Sequence, residues 1–229
     1  MKIELYEDGI GEVELISHMG TDLSVVNAAR VSFGGQKGEV DSKDEKLINY
    51  LAKHNHTSPF EHCTATFRFT VPLYVRSQHH RHRTWAYNEI SRRYTDINMR
   101  FYEPQEFRTQ HKSNRQASNE NELIDPDIVS LDNIKTKASE AVLVHHIHSL
   151  ALFEKLLDAG VCREQARGVL PQNLYTEYYG TVNLHNLMHF IRLRTHEGAQ
   201  WEIQKVAEAL NTIALTLWPV SVAAFANRT

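Results

Sequence analysis

The chain has 229 residues, of which 41% are apolar, with 25 basic and 28 acidic side chains and a formal net charge of −3. This length and apolar content suit one packed domain and are incompatible with global disorder. A protein that coats itself with nucleic acid carries a clear basic excess, which is missing here, so any basic function is local.

In chain order, residues 1–18 read as one or two short strands. Asp22 or Ser24 is placed to cap a helix running through Val25, Val26, Ala29 and Val31. Ser42 and Glu45 form a capping-box pattern, and the helix behind them puts Leu47, Ile48 and Leu51 on one face before ending near His54. From Cys63 to Val71 the pattern alternates: Cys63, Ala65, Phe67, Phe69 and Val71 fall on one side and Thr64, Thr66, Arg68 and Thr70 on the other, as in a half-buried strand. Pro72 then fits the first turn of a helix carrying Leu73, Val75 and Arg76.

Residues 105–133 are rich in Gln, Asn, Ser and charge, with a turn signal at Asp125-Pro126-Asp127, and read as a long surface excursion that adds little to the core. From Ile134 the helical period returns, with Leu143, Ile147, Leu150, Phe153 and Leu157 in one stripe and Gly160 closing it. Two further helical segments, 183–195 and 199–217, are stopped by Pro219. Strands early and helices late predict an α+β fold, a single domain over residues 1–229 with a β-sheet core flanked by helices and a helix-rich C-terminal half. Gly34, Gly35 and Gly38 lack the spacing and flanking elements of a dinucleotide-binding glycine loop.

The N-terminus shows no apolar run followed by a small-residue cleavage site, and no stretch approaches the roughly 18 continuous apolar residues of a membrane helix. With only Cys63 and Cys162, no disulfide framework is expected, and a reducing cytoplasm is the simplest location. Cys63 reads as core, and no base is evident near Cys162 that would make it a nucleophile.

The chemistry concentrates between residues 76 and 94. Arg76, Arg81, Arg83, Arg92 and Arg93 with His79, His80 and His82 stand against a single acid, Glu89. Such a cluster in an acidic chain is self-repelling and is best explained by an anionic ligand, because guanidinium forks match phosphate oxygens. A solvated basic face and a nucleic-acid patch are the alternatives, since Trp85, Tyr87 and Tyr94 can stack on bases or on a flavin equally well.

Residues 81–94 resemble the signature of the flavin-dependent thymidylate synthases, R-H-R-x-x-S-x-N-E-x-S-x-R-Y. Arg81, His82, Arg83, Asn88, Glu89, Ser91, Arg93 and Tyr94 match it, and Ala86 stands where the family has serine. The segments 56–62, 166–171 and 193–204 are similar to other blocks of that family. The resemblance implies dUMP contacts at Gln78, His79, His80, Arg81, Glu89, Ile90, Ser91, Arg92, Arg93, Arg167 and Arg194, with Arg167 reaching a nucleotide bound by a neighbouring subunit. It implies FAD contacts at Ser58, Arg81, His82, Arg83, Glu89, Asn183, His185 and His189.

The implied reaction is methylation of dUMP to dTMP with 5,10-methylenetetrahydrofolate as carbon donor and NADPH as reductant, in a homo-oligomer, a tetramer, with active sites shared between subunits. Arg194 is the catalytic candidate: an always-protonated guanidinium polarises the uracil ring in place of a cysteine nucleophile. His185 and His189, four apart on a helix, have spacing that also suits a metal, but no Cys or carboxylate completes a set, and no metal is expected. No nucleic-acid or membrane partner is expected; rival readings are a single-stranded nucleic-acid module without a cofactor and a generic FAD or NADPH reductase.

Overall fold

A computed structural model of the chain describes residues 1–129 and 133–228. Lys2–Glu4 (β1) and Glu12–Met19 (β2) form a hairpin, followed by the helices Asp22–Arg30 (α1) and Ser42–Lys53 (α2). Thr64–Pro72 (β3) runs directly into Leu73–His79 (α3), and Ala86–Glu89 (β4) follows. A surface section carries Phe107–Gln110 (β5), Ser118–Ile124 (β6), Asp127–Val129 (β7) and Lys135–Lys137 (β8). The remaining elements are Ala138–Asp158 (α4), the single turn Arg163–Ala166 (α5), Tyr175–Asn183 (β9), Leu184–Arg194 (α6), Trp201–Leu217 (α7) and Pro219–Ala226 (α8). This is the α+β class expected from the sequence, with helices concentrated in the C-terminal half.

The main sheet is antiparallel with strand order β1-β2-β3-β9-β4. Its centre is the β3–β9 pair, in which Phe69 lies opposite Tyr178 and Phe67 opposite Gly180. Ala65, Phe67, Phe69 and Val71 are buried as the alternation of β3 requires. Phe69 stacks on Tyr178 at 4.9 Å between ring centroids. A Cβ at Gly180 would come within 2.9 Å of Phe69 and 3.2 Å of Trp85, so glycine there lets both rings close over the strand. Leu184, Leu187 and Phe190 of α6 and Ile203, Val206, Leu210 and Ile213 of α7 join the same core. The other sheet face is polar: the Thr66 and Thr181 hydroxyls pair at 2.9 Å, and Arg68 meets Glu14 at 2.6 Å.

Several boundaries differ from the sequence-based expectation, each for a local reason. Thr21, rather than Asp22 or Ser24, occupies the N-cap of α1, and its N–H donates to Ser24 Oγ at 3.0 Å. Asp22 caps a different helix: its carboxylate accepts the N–H groups of Val220 and Ser221 at 3.0 and 2.9 Å, at the start of α8. Helix α2 begins with an Asp41/Asp44 capping box, one residue ahead of the Ser42/Glu45 pair, because aspartate fills the same role. Pro72 ends β3 and is the N-cap of α3 rather than lying within its first turn.

Strands β4 and β9 have no counterpart in the elements expected from the sequence. In α4, which starts at Ala138 rather than Ile134, the expected stripe is not a core face: Phe153 is buried, but Leu143 and Ile147 are exposed. Gly160 closes that helix in the left-handed region, at φ +86°. Within the expected excursion β5 pairs with β6, β7 pairs with β8 just beyond it, and no residue from 105 to 129 is buried. Residues 130–132 of it lie outside the described residues.

Asp44 links α2 to the loop before it. Its buried carboxylate meets Arg30 Nη2 at 2.5 Å and Lys37 Nζ at 2.7 Å. Burial works against its charge, but the hydrogen bonds from Lys37 and Arg30 prevail and hold its pKa below the ordinary carboxylate range. Asp44→Asn keeps the shape and loses the charge, and is expected to lower unfolding free energy by about 1–3 kcal/mol at neutral pH. A group with a depressed folded pKa stabilises above its unfolded pKa, so the difference from wild type should shrink as pH falls below about 4. Urea unfolding at fixed protein concentration checks both; a pH-independent difference would contradict the ion-pair assignment.

Candidate active site

Helix α3 is 7 residues long and ends in a tight reversal, in which the N–H groups of His80, Arg81 and His82 bond to the carbonyls of Arg76, Gln78 and His79. The reversal delivers the chain into β4, where pairing with β9 sets Glu89 opposite Tyr178. Ile90 N–H continues the pairing to Glu177 O at 2.9 Å, and Ser91 then opens a turn closed by the N–H groups of Tyr94 and Thr95.

Three sites result. The first is a cleft of about 520 Å³ walled by Arg76, Glu89, Ile90, Ser91, Arg92 and Arg167, with Leu73, Leu174 and Thr176 beside them. Glu89 Oε1 accepts Thr176 Oγ1 at 2.6 Å and lies 3.1 Å from Arg76 Nε. Arg92 donates to Ile97 O at 2.7 Å, and burial draws its pKa below the usual arginine value. Arg167 opens the short turn that continues α5. Three guanidinium groups face two carboxylates there, Glu89 and Glu164, and Glu89 is already paired, which makes the cleft a place for an anion.

The second site centres on Arg194 at the end of α6. Its Nε donates to His82 Nε2 at 3.1 Å and its Nη2 to Gln78 O at 3.2 Å. A ring nitrogen that accepts from a guanidinium is unprotonated, so His82 is neutral. Burial, then the charges of Arg194 and His189, pull its pKa down to about 4. Beneath it His79 is fully buried, with Nδ1 2.7 Å from the Tyr178 hydroxyl and its ring packed on Trp85, Phe190 and Phe69. Burial above all keeps His79 well below the ordinary histidine range. Its side chain is enclosed by the core. The His80 ring lies 4.1 Å from that of Tyr87.

The third site is a cleft of about 680 Å³ whose walls include His185, Met188, His189, Arg192, Phe225 and Arg228. His185 Nδ1 is buried with no hydrogen-bond partner among the described residues. Asn183 is the N-cap of α6, where its Oδ1 accepts Asn186 N–H at 2.9 Å.

The structure thus gathers Glu89, Ile90, Ser91, Arg92 and Arg167 into one cleft, Gln78, His82 and Arg194 into a second cluster, and His185 and His189 into a third. Ser58, Arg81, Arg83 and Arg93 lie outside these three groups, and Arg93 donates to the Tyr94 hydroxyl at 3.0 Å. Ala86, in place of the family's serine, is exposed on β4 opposite Thr181. Thr176, which holds Glu89 together with Arg76, is absent from the residues singled out in the sequence, whereas Arg76 stands in the expected basic cluster but not among the implied dUMP or FAD contacts. Alternation along Tyr175, Glu177, Tyr179 and Thr181 against Thr176, Tyr178, Gly180 and Val182 was the available signal for the strand that carries Thr176.

Cys63 is buried, its thiol pushed up to about 12 chiefly by burial, and Cys162 is exposed beside Gln165. Among the described residues no group of three His, Cys, Asp or Glu side chains is arranged to hold a metal ion.

The arginine-walled cleft and the cleft of mixed aromatic and basic lining are places where an anionic ligand carrying a flat ring fits. The family model described as thymidylate synthase complementing protein matches residues 14–220. The chain belongs to the flavin-dependent thymidylate synthase family. The flavin-dependent thymidylate synthase of Thermus thermophilus is 44% identical over 94% of this chain and 75% of its own length. That of Thermotoga neapolitana is 40% identical over 98% of this chain and 94% of its own. Among solved structures, the UMP/dUMP methylase PolB from Streptomyces cacaoi, bound with 5-Br dUMP, matches with a TM-score of 0.78 at 34% identity, covering 98% of this chain and 97% of that one.

The His82 pKa gives a pH prediction. Between about 6.5 and about 4 the folded state leaves His82 neutral while the unfolded chain binds its proton. Stability from this group is therefore full above about 6.5 and lost as pH falls towards 4. His79, His80 and His185 are shifted in the same direction and add to the slope. Thermal midpoints measured from pH 7 to 4 should fall, and fall less steeply in His82→Asn; an unchanged slope in that variant would mean His82 does not carry the effect.

Proposed function

We propose that this protein converts dUMP to dTMP, with the added carbon drawn from 5,10-methylenetetrahydrofolate, NADPH as reductant and FAD as bound cofactor. The observation that carries the reading is the first cleft, where Ser91, Arg92 and Arg167 join Arg76 and Glu89 in a chain of this family. The likeness to a methylase bound with 5-Br dUMP supports a pyrimidine monophosphate as the ligand.

The residues of the third cleft fit FAD. Met188, Ile191 and Phe225 offer apolar surface for a planar ring system, His185, His189, Arg192 and Arg228 offer donors for an anionic chain, and His185 Nδ1 lacks a partner among the described residues. Ser58, Arg81, His82, Arg83, Glu89 and Asn183 complete the proposed FAD contacts. FAD in its reduced form supplies, when bound, the hydride that completes the methyl group.

The uracil C5 must be made electron-rich before it attacks a methylene donor. Arg194 polarises the ring at N3 and O4, because a fixed cation stabilises negative charge as it develops there. Neutral His82 holds that guanidinium without competing for the ring's charge. Arg81, Arg92, Arg93 and Arg167 bind the phosphate and ring, Ser91 orients the nucleotide, and Gln78, His80, Glu89 and Ile90 complete the pocket. Cys63 is buried and poorly acidic, and neither cysteine is bonded to a base, so the thiols stay out of the chemistry.

In one chain these groups do not surround a common space: Arg194 and Gln78 are not among the walls of the cleft that holds Ser91 and Arg167. We infer a homo-oligomer, a tetramer, whose active sites combine groups from different subunits, working in the cytoplasm on small molecules rather than on nucleic acid or membranes. No described helix is long and apolar enough to cross a membrane.

The purified protein should take up FAD, turn yellow and form dTMP from dUMP; failure to bind flavin would remove the reading. Arg194→Ala should lower kcat by on the order of 10²–10³ while weakening dUMP binding far less. Arg194→Lys, which keeps charge but not the planar fork, should also be impaired. Normal turnover in Arg194→Ala would pass the ring-activating role to Arg93 or Arg167. The double variant Cys63→Ala/Cys162→Ala should retain methylation; a folded double variant that binds dUMP and FAD but does not turn over would reinstate a thiol mechanism.

A further inference from the structure

The hairpin β5–β6 is joined to the active-site region by a continuous chain of polar contacts. Arg108 on β5 donates through Nη2 to Glu202 and through Nε to Ser118 Oγ at 3.1 Å, with its guanidinium 4.8 Å over the Trp201 ring. Glu202, in the first turn of α7, is only 3% exposed. Its other carboxylate oxygen accepts Gln200 Nε2 at 2.8 Å. Gln200 Oε1 accepts Gln78 Nε2, and the main-chain oxygen of Gln78 accepts Arg194 Nη2 at 3.2 Å.

The direction of this chain has one source. A carboxylate only accepts, so Gln200 turns its NH₂ towards Glu202 and its oxygen towards Gln78. Gln78 must then turn its own NH₂ towards Gln200. Either amide reversed would set two acceptors face to face in a half-buried contact, which costs the hydrogen bond. A buried carboxylate without a cation is itself strongly unfavourable, and Arg108 is the cation in contact with it.

We propose that Arg108 is a positioning residue of the active site. By holding the Glu202 carboxylate in place it fixes the amide direction of Gln200 and Gln78, and by pinning Gln78 at the end of α3 it fixes the seat of Arg194. The proposal rests on the reading of Gln78 and Arg194 as groups that meet dUMP. The surface hairpin thereby acquires a role, since its Arg108 sets the geometry of a site that the hairpin does not line.

Glu202→Gln separates this role from simple stabilisation. The variant is isosteric, and Arg108, a pure donor, compels the new amide to turn its oxygen outward and its NH₂ towards Gln200. Gln200 and Gln78 must then both reverse. The expected result is a protein still folded at the assay temperature, its thermal midpoint lowered because the largely buried Arg108 loses its ion-pair partner, with kcat lowered about tenfold or more and KM for dUMP changed by less than about threefold. Arg108→Ala should lose both stability and turnover. In Arg108→Ala/Glu202→Gln the buried charge is gone, so stability should recover while turnover does not, because nothing now sets the amide direction.

Wild-type kcat in Glu202→Gln, or recovery of kcat together with stability in the double variant, would overturn the proposal. If the double variant fails to fold, Glu202→Gln alone decides. Wild-type protein that forms no dTMP, or Arg194→Ala with normal turnover, would instead remove the reading beneath it, so the two failures are distinguishable.

Discussion

The hydrogen bond from Arg194 to His82 joins a permanent cation to a ring nitrogen, and it exists only while that ring is uncharged. The surroundings of His82 serve that condition. The residue is 8% exposed and its ring packs on Phe190, and His79 lies deeper still among Phe69, Trp85 and Phe190. Burial and neighbouring positive charge act together to keep both imidazoles neutral. The guanidinium is thus gripped by a neutral acceptor and a main-chain carbonyl, which fix its direction and leave its positive charge unneutralised. A carboxylate in either place would have quenched the charge that the proposed chemistry needs.

Helix α3 divides the site. Arg76 and Gln78 are two residues apart, so in a helix they project from opposite sides. Arg76 reaches Glu89 and the anion cleft, while Gln78 meets Gln200 and Arg194. The short helix is held firmly, since β3 runs straight into it and His79 anchors it to Tyr178 of β9. Gly180 on the same strand lets Phe69 and Trp85 close over the place where His79 sits. On the proposed reading, such a divider gives one chain two half-sites, and the proposed oligomer is the arrangement that lets half-sites from different chains face each other.

Much of this was legible in the residues. The alternation of 63–71 specified β3 and its buried face, and the density of arginine around a lone Glu89 marked the anion cleft. What the sequence hid was mostly strand β9. Its Tyr, Thr and Glu residues look polar, yet Tyr178 is fully buried because β9 is central and its tyrosine hydroxyl finds His79. With that strand hidden, Thr176 and the edge position of β4 were hidden too. The caps slipped by one residue because Asp, Ser and Thr compete for the same role in adjacent positions, and Asp22 was claimed by a helix 198 residues away. The stripe on α4 has the spacing of a core face, whereas only Phe153 of it is buried in the single chain and Leu143 and Ile147 are exposed. No pattern in 105–133 reveals that Arg108 reaches a buried glutamate in α7, since that contact depends on tertiary placement alone.

On the proposed account, dUMP is activated by cations fixed in space, and those cations come from more than one chain. Complementation between two inactive variants tests this most directly. Arg167→Ala and Arg194→Ala proteins are purified, mixed under conditions that exchange subunits, and assayed for dTMP formation. If Arg167 and Arg194 serve one nucleotide from different subunits, mixed oligomers contain sites with both arginines intact, and activity returns to a substantial fraction of wild type. If both arginines of a site come from the same chain, every site in every mixture lacks one of them. Mixed oligomers that remain inactive would contradict the shared site.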